Sequence, residues 1–465
     1  MTLTVVKVGG GLLGGCEDLE RVARSLAARR QAGERLLVVV SALHGVTDML
    51  ESAAEAALDP RAGGELERAV TARLQRRHDD AAGLDAEAAR LGVRLAIDGV
   101  GRLLTGIRLT GELTDRTRAL LLAHGERLAA PIVASALIRA GVDARAVHSE
   151  EGGLVARGHP LTGGCDLVAS EAGAQSLAHE LHDRVLVLTG FYARDPDGDV
   201  VLFGRGGTDY TAGVMARLTS ADALELWKDV PGFMTTDPRG VEAAHLVPEL
   251  SFDEACELGY YGARILHPRC LEPLRGHDVA VSVRPVEGEV GCGTAVVEAP
   301  ERDGVGVAAL AHRQGVALVR CSSPAMVNQP GVAGRILSAV GAAGVNVDAL
   351  AASMTSVSFT CDEVDAALVR RTLKLLASEE SVEVEQVEVL TGVALLGLVG
   401  DGVAKDASIA ARALSCLAEL GFAVDLISHG PGDVGMSCVV PSEDLPRALA
   451  ALHRAFFEVG ELSSR

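Results

Sequence analysis

Two short stretches of this chain place groups where phosphate chemistry could use them. In Gly204-Arg205-Gly206-Gly207-Thr208-Asp209-Tyr210, flexible backbone donors, a guanidinium, a hydroxyl and a carboxylate precede a predicted helix. Glycine lets such a loop turn sharply and approach a ligand. Arg205 offers a fork of donors suited to a carboxylate or phosphate, and Asp209 suits a helix N-cap or a place beside a nucleotide. The second stretch is N-terminal: the apolar run Leu3-Thr4-Val5-Val6 ends in Lys7-Val8-Gly9-Gly10-Gly11 and leads into a helix with Leu19, Val22, Ala23 and Leu26 on one face. Strand, glycine turn and helix make a phosphate cradle, in which a lysine offsets charge on a transferred phosphoryl group. Taken alone, Lys7 reads more readily as a strand-end lysine that snorkels to solvent than as a catalytic group; the glycines and Asp209 taken with it favour catalysis.

The elements that must position these groups are legible from composition and pattern. With 465 residues, 48% of them hydrophobic, the chain can form two or three globular cores. A formal charge of −20 repels nucleic acid and anionic lipid, so neither is an expected partner, and phosphate binding must come from local loops. Nine cysteines without a C-x-x-C pair, and an N-terminus that begins a strand rather than a leader, predict a reduced, cytoplasmic setting. No uninterrupted, strongly apolar run approaches the ~18 residues of a membrane span.

Up to about Val297, strand-like runs such as Leu36–Val40, Val185–Leu188 and Ala223–Trp227 alternate with helical stretches. This predicts an α/β fold with a parallel-rich sheet sandwiched by helices. Residues 58–122 are charged and rich in Arg, Ala and Leu, and read as a helical insertion. Asp195-Pro196-Asp197-Gly198 predicts a hairpin that returns Gly204 beside the strand ending at Gly190. After a linker at Ala299–Gly304, two weakly similar stretches each read as a ferredoxin-like βαββαβ unit. In the first, Val345–Leu350 is a predicted strand; in the second, Phe422–Ser428. The expected domains are therefore 1–298, 305–390 and 391–465.

These residues, with Ser41-Ala42-Leu43-His44-Gly45-Val46-Thr47, Gly125-Glu126, Asp229-Val230-Pro231-Gly232, Thr236-Asp237-Pro238-Arg239 and Tyr261 to Pro268, occur in the order seen in aspartokinases. The chain resembles that family, an amino acid kinase fold followed by tandem ACT regulatory units. The resemblance implies phosphorylation of the L-aspartate β-carboxylate by ATP with Mg²⁺, giving 4-phospho-L-aspartate, the first step towards lysine, threonine and methionine. It implies Lys7 and Asp209 as the catalytic pair, and Thr47, Glu126, Arg205 and Thr208 around aspartate. Around ATP it implies Lys7, Gly9, Gly10, Lys228, Asp229, Met234, Arg239, Arg264 and Ile265; no metal ligand is assigned. Bottom-up chemistry agrees that a small zwitterionic dicarboxylate needs a fork of donors and an anion in one site.

The chain also departs from the family, which usually has Thr-Ser where Gly11-Leu12 stand, and often Lys at Arg264 and Thr at Lys228. Competing functions are an amino-acid-sensing ACT subunit with little kinase activity, and a kinase for glutamate or N-acetylglutamate. The chain stops after the second βαββαβ unit, so an appended homoserine dehydrogenase is not expected. For regulation, Gln329, Gly331 and Val332 lead a helix whose free amides could receive an effector carboxylate. Asn346 and Asp348 stand on the adjacent strand to meet its amino group. Lysine or threonine is the expected effector, in a homodimer or larger homo-oligomer. Ser251-Phe252-Asp253-Glu254 reads as a capping box and His267 as a structural histidine.

Overall fold

The computed structural model describes residues 2–59, 61, 63–82, 87–261, 265–288, 292–301, 306–327, 330–378, 385–421, 424–430 and 433–458. Its elements begin with β1 (Leu3–Val8), α1 (Cys16–Gln31), β2 (Arg35–Val40), α2 (Val46–Ala57), α3 (Gly63–Ala82), α4 (Glu87–Thr110), α5 (Asp115–Leu122) and α6 (His124–Arg139). There follow β3 (Ala144–Val147), β4 (Ala156–Arg157), β5 (Gly164–Cys165), α7 (Leu167–Glu180), β6 (Val185–Thr189), β7 (Tyr192–Arg194), β8 (Val200–Leu202), α8 (Gly207–Leu218) and β9 (Ala223–Lys228). Then come β10 (Glu249–Ser251), α9 (Phe252–Tyr260), β11 (Ala280–Pro285), β12 (Thr294–Val297), β13 (Ala309–Ser322), α10 (Val332–Ala342), β14 (Leu350–Ala352) and β15 (Ser356–Asp362). The last are α11 (Ala366–Ala377), β16 (Gln386–Val399), α12 (Ala407–Glu419), β17 (Leu426–Ser428), β18 (Gly435–Pro441) and α13 (Leu445–His453). They form two compact units, Met1–Phe233 with Arg264–Val297, and Met234–Ala263 with Glu298–Arg465.

In the first unit the sheet runs β12-β11-β9-β1-β2-β6-β3. The pairs are parallel except β11 with β12. Every residue of β1 is buried, and so is β2 from Leu36 onward, as expected of strands covered on both faces. β2 and β9 flank β1 on opposite sides, so the winding reverses there. A parallel sheet opens its ligand crevice at the carboxyl ends of strands at such a point, and Lys7 and Lys228 stand at those ends. The predicted insertion is α3 to α5, and it shares the main core. Val93, Ile97, Val100, Leu104 and Ile107 repeat at helical spacing along α4 and are buried in the same cluster as Leu128 and Ile132 of α6. The 25-residue stretch Asp115–Arg139 is long and apolar enough to cross a membrane by composition, and its most apolar part is 89% buried inside the fold.

In the second unit the ferredoxin-like halves share one antiparallel sheet, β14-β15-β13-β16-β18-β17. β13 and β16 each run for 14 residues. The C-terminal part of β13 pairs with β15, whereas its N-terminal residues Ala309–Arg313 pair with Leu395–Val399. The second half thus receives its fourth strand from residues that precede the first half. The register slips between Arg313 and Leu318, where Gly315 (φ 69°) and, on the facing strand, Gly392 (φ 73°) adopt left-handed backbone. One core gathers Val319, Ile336, Phe359 and Leu373; the other gathers Leu396, Ile409, Leu417 and Leu449. The predicted capping box forms: Ser251 Oγ accepts from Glu254 N (3.2 Å), and Ser251 N donates to Glu254 Oε2 (2.8 Å).

Two predicted strands are shorter than the pattern suggests. Val345–Leu350 begins its regular ladder only at Leu350, because Asp348 and Ala349 both face Thr360: Asp348 N donates to the Thr360 carbonyl (2.9 Å) and Thr360 N to Ala349 O (2.9 Å), which leaves Ala349 N to the Thr360 hydroxyl (3.0 Å). In the other half, β17 starts at Leu426; Phe422 lies outside the described residues.

An alanine Cβ at Gly315 or Gly392 would meet no atom within 4 Å, so substitution there tests backbone strain alone. Gly315→Ala and Gly392→Ala should each destabilise the second unit by about 1–2 kcal/mol. The measurement is a urea midpoint that falls while the slope is unchanged.

Candidate active site

At the carboxyl edge of the first unit's sheet lies a cavity of about 860 Å³ lined by residues from β1, the loop after β2, α2, α6 and the Gly204–Asp209 loop. β1 delivers Lys7, 5% exposed. Its Nζ lies 2.7 Å from Asp209 Oδ1, with angles of an ion pair rather than a directed hydrogen bond. Asp209 sits in the first turn of α8, where the helix dipole favours an anion. On its other side, Lys228 Nζ from the end of β9 stands 3.6 Å from Asp209 Oδ2. Burial acts against ionisation of Asp209, but the two ammonium groups outweigh it and hold the carboxyl below its usual range. Burial and neighbouring Lys7 lower Lys228 to about 8.

Glu126, 3% exposed, enters from the first turn of α6. Its Oε1 accepts from Ala42 N (3.1 Å), while Oε2 has no hydrogen-bond partner among the described residues. Burial pushes its carboxyl up to about 8, against the pull of Ala42 N–H and Lys7. Thr47, on the first turn of α2, lines the same cavity, as do Arg205 and Thr208. Arg205 is exposed and makes no ion pair among the described residues, leaving its donor fork available.

The loop holding Arg205 depends on Gly206 (φ 72°): any Cβ there would come within 2.2 Å of the His267 ring. His267 Nδ1 accepts from Arg269 N (3.3 Å), capping the turn Pro268–Cys270. Sequence reasoning missed two residues that set this geometry. Arg269 spans the loop, donating to Phe203 O (2.5 Å) and Gly163 O (2.9 Å) while stacking 4.6 Å from the Tyr210 ring centre. Its only signal was its place beside His267-Pro268. Phe191, in the cavity wall, holds a left-handed φ of 74°. It is kept there by bonds from its N–H to Thr211 Oγ1 (3.1 Å) and from Phe203 N to its carbonyl (2.8 Å). No sequence signal announces a left-handed Phe.

On the predicted nucleotide side, Gly9 caps a short 3-10 turn, Gly10–Leu12. A Cβ on Gly10 would come within 2.8 Å of Ala42 O. Asp229 follows β9 and is exposed; Ile265 is described and Arg264 lies outside the described residues. Met234 and Arg239 belong to the second unit, where Met234 bridges to Leu246 and Arg239 grips Asp237 at 2.8 Å. Of the effector candidates, Gly331 and Val332 open α10, Asn346 is exposed, and Gln329 is outside the described residues. Asp348 Oδ1 is held by Arg313 (2.9 Å) and Tyr260 (2.5 Å); Oδ2 has no hydrogen-bond partner among the described residues. Among the described residues, no group of three or more His, Cys, Asp or Glu could hold a metal ion. With Asp209 held between two lysines, the donor set fits a metal carried on nucleotide phosphates rather than in a protein cage.

The sequence profile of the amino acid kinase family matches residues 2–285, and that of an ACT domain matches 319–375 and 396–456. Over 468 residues the chain is 30% identical to aspartokinase 1, chloroplastic, of Arabidopsis thaliana, covering 99% of this chain and 81% of the relative. The chain belongs to the aspartokinases of the amino acid kinase family. It is also 31% identical over 363 residues to the bifunctional aspartokinase/homoserine dehydrogenase of Haemophilus influenzae, covering 76% of this chain but only 44% of that protein's length. E. coli aspartokinase III in complex with aspartate and ADP superposes with TM-score 0.82 at 26% identity, over 98% of this chain and 100% of that one. Its complex with lysine and aspartate gives 0.80 at 26% identity, over 98% and 99%.

Glu126 has a testable stability signature. The folded protein keeps its proton to about pH 8, whereas the unfolded carboxyl releases it near 4.5. Its contribution is therefore full below about pH 4.5 and lost as pH rises through 8. Glu126→Gln should remove that loss. The stability difference between variant and wild type, from urea denaturation, should grow by a few kcal/mol between pH 5 and 8 in favour of the variant.

Proposed function

We propose that this chain is an aspartate kinase that transfers the γ-phosphoryl group of ATP to the β-carboxylate of L-aspartate, yielding 4-phospho-L-aspartate and ADP. The observation that carries this reading is the buried Lys7–Asp209 pair, 2.7 Å apart, in the wall of the cavity that also holds Glu126 and Arg205. Arg205, with its donors available, suits an aspartate carboxylate. Glu126 suits the α-ammonium, whose charge would lower the cost of ionising a buried carboxyl. Thr47 and Thr208 add hydroxyl contacts. The nucleophile needs no general base, because a carboxylate is ionised at neutral pH. Positioning and charge neutralisation then dominate the acceleration. Lys7 meets the phosphoryl group as negative charge spreads over its oxygens, and Asp209 fixes the direction of the lysine. Gly9, Gly10, Lys228, Asp229, Met234, Arg239, Arg264 and Ile265 are the proposed nucleotide contacts. Magnesium on the phosphates would supply further charge neutralisation.

The proposed layout is a kinase region over 1–298 with ACT units at 305–390 and 391–465, acting in the cytoplasm as a homodimer or larger homo-oligomer. The product would open the route to lysine, threonine and methionine. Control by lysine or threonine at Gln329, Gly331, Val332, Asn346 and Asp348 is part of the same reading. It is supported by the lysine complex of the E. coli relative and by the Asp348 oxygen that has no hydrogen-bond partner among the described residues.

The decisive assay is ADP release by purified protein with aspartate, glutamate or N-acetylglutamate, trapping acyl phosphate with hydroxylamine. Aspartate alone should give hydroxamate. Lys7→Ala and Asp209→Ala should each lower kcat by about 10² or more with the fold intact, whereas Arg205→Ala should chiefly raise the aspartate KM by about tenfold. Near-normal turnover of either catalytic variant would remove the assignment. For regulation, Asp348→Ala should raise the inhibitory concentration of lysine or threonine by about tenfold, a typical coupling loss. A wild type that neither amino acid inhibits would end that part of the proposal.

A further inference from the structure

Two ammonium groups share one carboxylate at this site. Lys7 approaches Asp209 Oδ1 at 2.7 Å and Lys228 approaches Oδ2 at 3.6 Å, with side chains only 6% and 12% exposed and Asp209 at 8%. Among the described residues the charge does not balance: two cations face one anion in a buried setting. The nearby carboxyl of Glu126 does not restore neutrality, since burial keeps it protonated up to about pH 8. Uncompensated charge in a low-dielectric pocket is costly unless an anion joins it or a proton leaves. The lowered affinity of Lys228 for its proton, set by burial and Lys7 against the favourable pull of Asp209 and Cys270, reports that cost. A phosphoryl group is an anion that relieves it.

Lys7 and Asp209 line the cavity that holds Glu126 and Arg205, and Lys228 does not. It reaches Asp209 from β9, the strand next to β1 on the side away from β2. Its backbone registers with Pro285 of β11, and β1 Lys7 registers with β9 Leu226, two residues earlier. The two ammonium groups therefore flank Asp209 from neighbouring strands.

Resting on the kinase reading above, we propose that Lys228 is a second catalytic cation, paired with Lys7 across Asp209, that holds the phosphoryl group from the nucleotide side during transfer. In the step itself, an oxygen of the aspartate β-carboxylate forms a bond to Pγ while the Pγ–O bond to the β-phosphate breaks. The electron pair departs on the bridging oxygen with ADP, and no proton moves. Lys7 neutralises charge from the acceptor side and Lys228 from the leaving side. Asp209 keeps the two ammonium groups apart and aimed. This extends Lys228 beyond nucleotide contact to charge that develops only during transfer. A neutral hydroxyl at this position, as in the resembling family, could not supply it.

The test uses full-length wild type, Lys228→Met and Lys228→Arg. Each is assayed for aspartate-dependent acyl phosphate, and ATP and adenosine affinities are measured by calorimetry. Lys228→Met should lower kcat at least about tenfold with aspartate KM within about twofold, and Lys228→Arg should recover most of the rate. ATP should bind Lys228→Met about tenfold or more weakly while adenosine is unaffected. An active wild type whose Lys228→Met form keeps normal kcat overturns the proposal, as does a Lys228→Met loss that Lys228→Arg does not relieve. A wild type without aspartate-dependent turnover would instead remove the kinase reading. The ATP-against-adenosine comparison then decides Lys228 by itself: equal change in both ligands, or none, overturns a phosphate role. If Lys228→Met fails to fold, as judged by its thermal midpoint, Lys228→Thr takes its place in every arm.

Discussion

Burying two ammonium groups against a single carboxylate leaves a positive charge that the described protein groups do not answer, and the organisation of the first unit follows from that. Such a cluster does not stabilise a fold: desolvating each ion costs several kcal/mol before attraction repays it. It persists because its supports are strong. β1 is buried along its whole length and hydrogen-bonded on both sides, so Lys7 cannot retreat to solvent as strand-end lysines do. Asp209 is anchored in a helix whose first turn is buried. The apolar core thus holds an arrangement that is unfavourable alone and favourable once an anion enters.

The walls of the cavity hold a second kind of stored free energy. Phe191 keeps a backbone conformation that costs a side-chain-bearing residue about 1–2 kcal/mol, and Gly206 is excluded from carrying any side chain by the His267 ring. Both positions are over-determined by neighbours: two backbone bonds for Phe191, and the guanidinium of Arg269 bridging Phe203 and Gly163 for the loop. Rigidity here lets Arg205 stand exposed without collapsing onto a protein carboxylate.

Much of this was legible in the sequence because it rests on local pattern. The apolar run ending at Lys7, the glycines after it, and the period of α4 report their own secondary structure. The order of motifs then brings Glu126 and Asp209 together by resemblance. What escaped has a common cause: it depends on contacts between residues far apart in the chain. Arg269 acts 66 residues from Phe203 and 106 from Gly163. The left-handed Phe191 is imposed by Thr211 and Phe203. The late start of β14 comes from Asp348 and Ala349 both facing Thr360 of β15. The second unit was read as two successive motifs, and each half has its helices and cores in the expected order, but the exchange of the end strand could not be seen. Alternation along Ala309–Ser322 looks the same whichever partner lies beside it.

That exchange has a consequence for how the second unit comes to exist at all. Its first strand residues, Ala309–Arg313, find their partners at Leu395–Val399, close to ninety positions later, so the closing contact spans the whole of the first ferredoxin-like half. Loop-closure entropy makes such a pairing slow and late. As the chain emerges during synthesis, the opening strand must wait, partly unsatisfied, until the first half and the leading strand of the second have been made. The two halves therefore fold as one cooperative object rather than as beads on a string, and neither can be excised intact. Two motifs of similar order are thus tied into one sheet through a single exchanged strand.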